Sequence, residues 1–79
     1  MRFFIDLRDS DQFVVDGDGI EYDSAQDAIE EAAKTACAMA EDGLPERGGG
    51  EISLTLRDQD GPIAVINVAL SVHILKATN

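Results

Sequence analysis

Residues 51–71 constrain the fold more than any other stretch. From Glu51 to Asp58 apolar and polar residues alternate, with Ile52, Leu54 and Leu56 on one side and Ser53, Thr55 and Arg57 on the other. That period of two marks a strand with one buried face. Asp58-Gln59-Asp60-Gly61 follows. It reads as a type I turn closed by a glycine bulge, a three-residue hairpin loop. Pro62 then starts the return strand, where a missing N–H is tolerated. With Asp58 opposite Pro62, Leu56 faces Ala64, Leu54 faces Ile66 and Ile52 faces Val68. A two-residue loop would set Asn67 against Leu54, so the longer loop is expected. Residues 71–79 are expected to finish the strand and fray.

The N-terminal stretch has the same period. Phe3, Ile5 and Leu7 alternate with Phe4, Asp6 and Arg8. Asp9-Ser10-Asp11 supplies turn chemistry, and Phe13-Val14-Val15 makes a second short strand, so the chain opens on a hairpin. Asp16-Gly17-Asp18-Gly19 breaks the pattern; its glycines allow positive φ and its aspartates can bond the local backbone. Ser24 is placed as a helix N-cap, with Asp27 at the capping-box position.

From Ala25 to about Glu41 the period becomes helical. Ala25, Ala28, Ile29, Ala32, Ala36, Met39 and Ala40 share one face; Gln26, Asp27, Glu30, Glu31, Lys34 and Glu41 share the other. Glu30 and Lys34 are spaced as an i,i+4 ion pair. Gly43 is the expected C-cap, Pro45 prevents resumption, and Gly48-Gly49-Gly50 reads as a flexible loop. That loop lacks the Gly-Lys-Ser/Thr and following helix of a phosphate-binding loop.

The element order is strand, strand, helix, strand, strand. It predicts an α+β fold: a four-stranded antiparallel sheet with one helix packed on one face, as a single small domain over residues 1–79. The predicted core is Phe3, Ile5, Leu7, Phe13, Val15, Ala28, Ile29, Ala32, Ala36, Ile52, Leu54, Leu56, Ala64, Ile66 and Val68. The helix-free face is expected to carry Phe4, Val14, Ile63 and Val65 beside Asp6, Arg8, Thr55 and Arg57. That apolar centre is the candidate interaction site. A small core and two free sheet edges together predict a homodimer.

Charge narrows the partners. The chain of 79 residues holds 16 Asp+Glu against 6 Lys+Arg, a net charge of -10. Phosphates would be repelled, so no direct nucleic-acid or anionic-membrane contact is expected, whereas a basic protein or cations would be attracted. One cysteine forms no disulfide framework, and a single histidine leaves no Cys/His zinc set. No apolar run is long enough for a membrane helix, and the opening run stops at Asp6, too short for a secretory signal; the cytoplasm is the expected compartment.

The chemistry-bearing residues do not assemble into a motif. An EF-hand loop begun at Asp16 meets Ile20 at position 5 and Glu21 at position 6; begun at Asp9 it meets Phe13. Both fail the ligand pattern. His73 lies in the apolar segment Val72-His73-Ile74-Leu75 without a partnered nucleophile. Cys37, beside the alanine face, reads as a small buried apolar residue. No catalytic residue, metal ligand or cofactor is assigned, and the chain is expected to be no enzyme.

Several of these segments together resemble a family of short, uncharacterised bacterial proteins grouped as a domain of unknown function. They are Arg2-Phe3-Phe4-Ile5-Asp6-Leu7-Arg8-Asp9, Asp16-Gly17-Asp18-Gly19, Asp27-Ala28 to Ala32, and Leu56-Arg57-Asp58-Gln59-Asp60-Gly61. The family pattern is an aromatic-aromatic-x-Asp opening strand, an Asp-x-x-Gly turn, an alanine-rich helix and a closing Asp-x-x-Gly hairpin. Asp9-Ser10-Asp11 stands where the first hairpin usually has a glycine. The resemblance implies a small stand-alone or repeated α+β domain and no activity. The functional expectation is a non-enzymatic, acidic interaction module that self-associates. The alternative is an antitoxin-like or regulatory protein that masks a basic nucleic-acid-binding partner by charge mimicry.

Overall fold

The computed structural model of the protein describes residues 1–10 and 12–76. Asp11, the last residue of the first expected turn, and residues 77–79 of the expected frayed end lie outside the described residues. The elements are β1 (Arg2–Asp9), β2 (Gln12–Val14), β3 (Ile20–Glu21), α1 (Ala25–Gly43), β4 (Gly49–Asp58) and β5 (Gly61–Ser71). They form one helix and a five-stranded antiparallel sheet in the order β2-β1-β4-β5, with β3 also paired to β1.

The expected four strands become five because one edge is split. β2 pairs with residues 7–9 of β1, and β3 pairs with residues 2–3. Between them the chain leaves the ladder, and the Asp16 side chain takes its place: Asp16 Oδ2 accepts the Ile5 N–H at 3.2 Å. Gly19 returns the chain at φ 73°, so close to β1 that a Cβ there would lie 2.8 Å from the Phe3 carbonyl oxygen.

Phe3, Ile52, Leu54 and Leu56 are buried on the helix side of the sheet. Ala28, Ala32, Ala36 and Ala40 meet them, a ridge of i,i+4 alanines that lets α1 lie close over β4 and β5. Ser24 caps the helix as expected, its Oγ accepting the Asp27 N–H at 3.1 Å. Lys34 pairs with Glu31 at 3.6 Å, where Glu30 was expected. Gly43 does not adopt the left-handed conformation. Instead Leu44 continues the turn, donating its N–H to the Ala40 carbonyl, and buries its side chain beside Ile52. The reversal comes at Gly48, φ 78°, and Gly49-Gly50 then opens β4 rather than remaining a loop.

The closing hairpin reaches its expected register by a different route. Ile52, Leu54 and Leu56 do face Val68, Ile66 and Ala64. Yet Asp58 pairs with Gly61 and Arg57 with Pro62, around the tight Gln59-Asp60 turn. Asp58 Oδ1 holds that turn by accepting the Asp60 and Gly61 N–H groups at 2.8 and 3.2 Å. The pairing shifts between Leu56 and Arg57, so Ile63 is the extra residue. A bulge thus absorbs the parity change that the longer loop was expected to supply.

Two core expectations fail at β2. Asp9 pairs with Gln12, which sets Arg8 opposite Phe13 and Leu7 opposite Val14. Phe13 is therefore on the helix-free side and 60% exposed; Val15 lies beyond the strand at 58%. A one-residue change in strand parity moves every side chain to the other face. Cys37, expected to be buried, is exposed on α1. Among the described residues no helix is long and apolar enough to cross a membrane.

Candidate interaction surface

The helix-free face is ordered by the same registers. Phe4 lies opposite Arg57, Asp6 opposite Thr55 and then Val65, and Arg8 between Phe13 and Ser53. Two arginines stack on two phenylalanines: the Arg57 guanidinium is 4.6 Å from the Phe4 ring centre and the Arg8 guanidinium 5.1 Å from that of Phe13. Such pairs keep aromatic area covered while leaving the charge near solvent.

Asp6 and Arg57 tie the segment after β2 to this face. Arg57 Nε donates to Asp6 Oδ2 and a terminal guanidinium nitrogen donates to the Asp16 carbonyl, both at 2.8 Å. Asp6 Oδ1 accepts the Asp16 N–H at 2.9 Å, and Asp6 is only 9% exposed. Asp16 Oδ1 in turn accepts the Asp18 and Gly19 N–H groups. The hydrogen bond from Arg57 holds the Asp6 carboxyl below the ordinary aspartate range. The N–H groups of Gly19, Ile5 and Asp18 do the same for Asp16. The Asp6 hydrogen bond raises Arg57 further. These groups keep their charges at neutral pH, and the oxygens of both carboxylates and two of the Arg57 nitrogens are hydrogen-bonded to each other or to backbone. The cluster fastens the segment after β2 to the helix-free face of the sheet.

A shallow, open groove of about 420 Å³ lies at the β1–β2 end, walled by Arg8, Phe13, Glu51 and Ser53 among others. Ser53 has no histidine beside it: His73 lies beyond the end of β5 and is exposed. Among the described residues no group of three His, Cys, Asp or Glu side chains could hold a metal ion.

The four expected contact residues do not form one patch. Val65 is 59% exposed on the helix-free face. Phe4 shares that face but is half-buried beneath Arg57. Ile63 sits at the bulge and is 38% exposed. Val14 is exposed, yet its pairing with Leu7 puts it on the opposite side. Phe13 replaces it, a residue that sequence reasoning had placed in the core. The organising role of Asp16 was half visible, because an Asp-x-Asp-Gly stretch signals local backbone bonding. Its reach to Ile5 and Asp6 was not.

The longest uncovered feature is β5. It has β4 on one side and, among the described residues, no strand on the other. It runs for 11 residues and contains no Asp, Glu, Lys or Arg. Val72, Ile74 and Leu75 continue past its end, and Leu75 is 97% exposed.

A family model described as "Domain of unknown function (DUF6894)" matches residues 2–69. No curated protein and no solved structure matches the chain.

Proposed function

We propose that the chain, which belongs to this family of unknown function, is a non-enzymatic, acidic protein-interaction module of the cytoplasm that self-associates. The observation that carries this reading is the division of the surface. Most of the acidic residues lie on the outer face of α1 and in the turns, whereas β5 is uncharged and the helix-free face exposes Phe13, Val65 and Ile63 beside Arg8 and Glu51. The molecule is also extended, with a radius of gyration of 14.9 Å where a compact chain of this length has roughly 12 Å. A thin two-layer body leaves much apolar surface for a second molecule to cover. Sedimentation equilibrium tests the reading: a mass of two chains supports it, and a single-chain mass at every concentration removes it.

A second reading is favoured by one observation, the acidic outer face of the helix. Asp27, Glu30, Glu31, Glu41, Asp42 and Glu46 are all exposed along α1 and the turn after it. Such a ridge suits a basic protein, including one whose cationic surface otherwise binds nucleic acid. That role predicts a partner captured from native lysate at low salt, lost at high salt and displaced by added RNA. Capture that ignores both salt and RNA would reject charge mimicry.

A further inference from the structure

We propose that two copies join along the outer edge of β5, antiparallel, about a two-fold axis at Asn67, so that the two sheets become one. This rests on the self-association proposed above and names its surface.

Three observations lead there. The first is charge. Two chains of net charge -10 repel each other over most of their surfaces, and both β1 and β4 carry charged residues. From Gly61 to Leu75 there is no Asp, Glu, Lys or Arg. Backbones of two such chains can therefore approach at β5 without placing like charges in contact. The second is the unprotected edge. A long sheet edge is ordinarily blunted by lysine, proline, bulges or a covering loop. Here Pro62 and the Ile63 bulge occupy only the hairpin end, and the stretch from Ala64 to Ser71 has neither.

The third is register. With Asn67 opposite Asn67 of the second copy, Ile66 meets Val68, Val65 meets Ala69 and Ala64 meets Leu70 of that copy. From Ala64 to Leu70 every apolar residue faces an apolar one and the single amide faces its own mate; the bulged Ile63 falls opposite Ser71. Centring on Ile66 instead would set Val65 against Asn67, and centring on Val65 would draw Pro62 into the ladder opposite Val68. The Asn67 centre leaves Pro62 opposite Val72 of the second copy, so the exposed apolar stretch after β5 runs beside the other chain's hairpin.

A cysteine at the axis tests this geometry. Opposed residues in an antiparallel pair have Cα atoms about 4.5–5.5 Å apart, within the range a disulfide spans. Stacked sheets are about 10 Å apart, beyond it. The full chain carrying Cys37→Ser and Asn67→Cys is oxidised, beside a control carrying Cys37→Ser and Val65→Cys. Both variants are checked by circular dichroism for retained fold. The expected result is at least tenfold more covalent dimer from the Asn67→Cys chain. Equal, low cross-linking by both, with a two-chain mass for the parent protein, would overturn the edge pairing and leave self-association standing. A single-chain mass for the parent would overturn both.

Discussion

Asp16 occupies the gap between β2 and β3, and its carboxylate accepts N–H groups from Ile5, Asp18 and Gly19. Hydrogen bonds to a charged acceptor contribute about 1.5–3 kcal/mol each at most, less where water competes. Asp16→Ala is expected to cost roughly 2 kcal/mol in urea unfolding at neutral pH. The cost should depend on pH. The carboxyl titrates lower in the folded protein than in the unfolded chain, so its stabilisation is fully present above the ordinary aspartate range and fades as pH falls through the folded value. The gap between parent and Asp16→Ala should therefore close in acid. A gap that is the same in acid as at neutral pH would show that the charge contributes nothing. The two glycines and aspartates around residue 16 made local bonding legible. The long-range part was not, because nothing in a turn's composition tells which strand lies beneath it.

At the scale of elements, parity decides who is buried. Phe13 and Val15 are as apolar as Phe3 and Ile5, yet the Asp9–Gln12 pairing turns Phe13 outward, and Val15 follows the strand. Phe13→Ala is expected to change stability by less than about 1 kcal/mol, the scale of an exposed site. Leu44→Ala should cost about 2–5 kcal/mol, since it empties a fully buried site beside Ile52. Urea midpoints rank the two directly, and the reverse order would refute the assignment of inside and outside. The sequence places the end of the helical period at about Glu41 with Gly43 as the cap and so overlooks Leu44, the observed cap; glycine permits a left-handed cap without requiring one. The alanine face, by contrast, was legible, because four alanines at i,i+4 spacing fit little else. Ala32→Leu tests its closeness. Forcing a larger side chain under α1 should cost about 1–3 kcal/mol, and no change in midpoint would mean a looser layer.

At the scale of the molecule, the two sides of the sheet are unlike. The apolar register of β4 with β5 follows from alternation and turn chemistry, which is why that half was readable; the strand order β2-β1-β4-β5 does not, because nothing in either hairpin says which of its strands meets the other hairpin. The open face was readable in composition only: which of its residues adjoin depends on a bulge and on a folded-back segment that no periodicity announces. The unlike sides also set how far assembly can go. One long edge, β5, is unpaired among the described residues, while the opposite edge is cut into strands of three and two residues. The proposed joining of two copies at β5 would use up both long edges and present only fragments outward. Growth would stop after one step. The chain would then carry an uncharged strand at its edge without seeding a fibre, and the carboxylate that interrupts the far edge would make the pair a terminus.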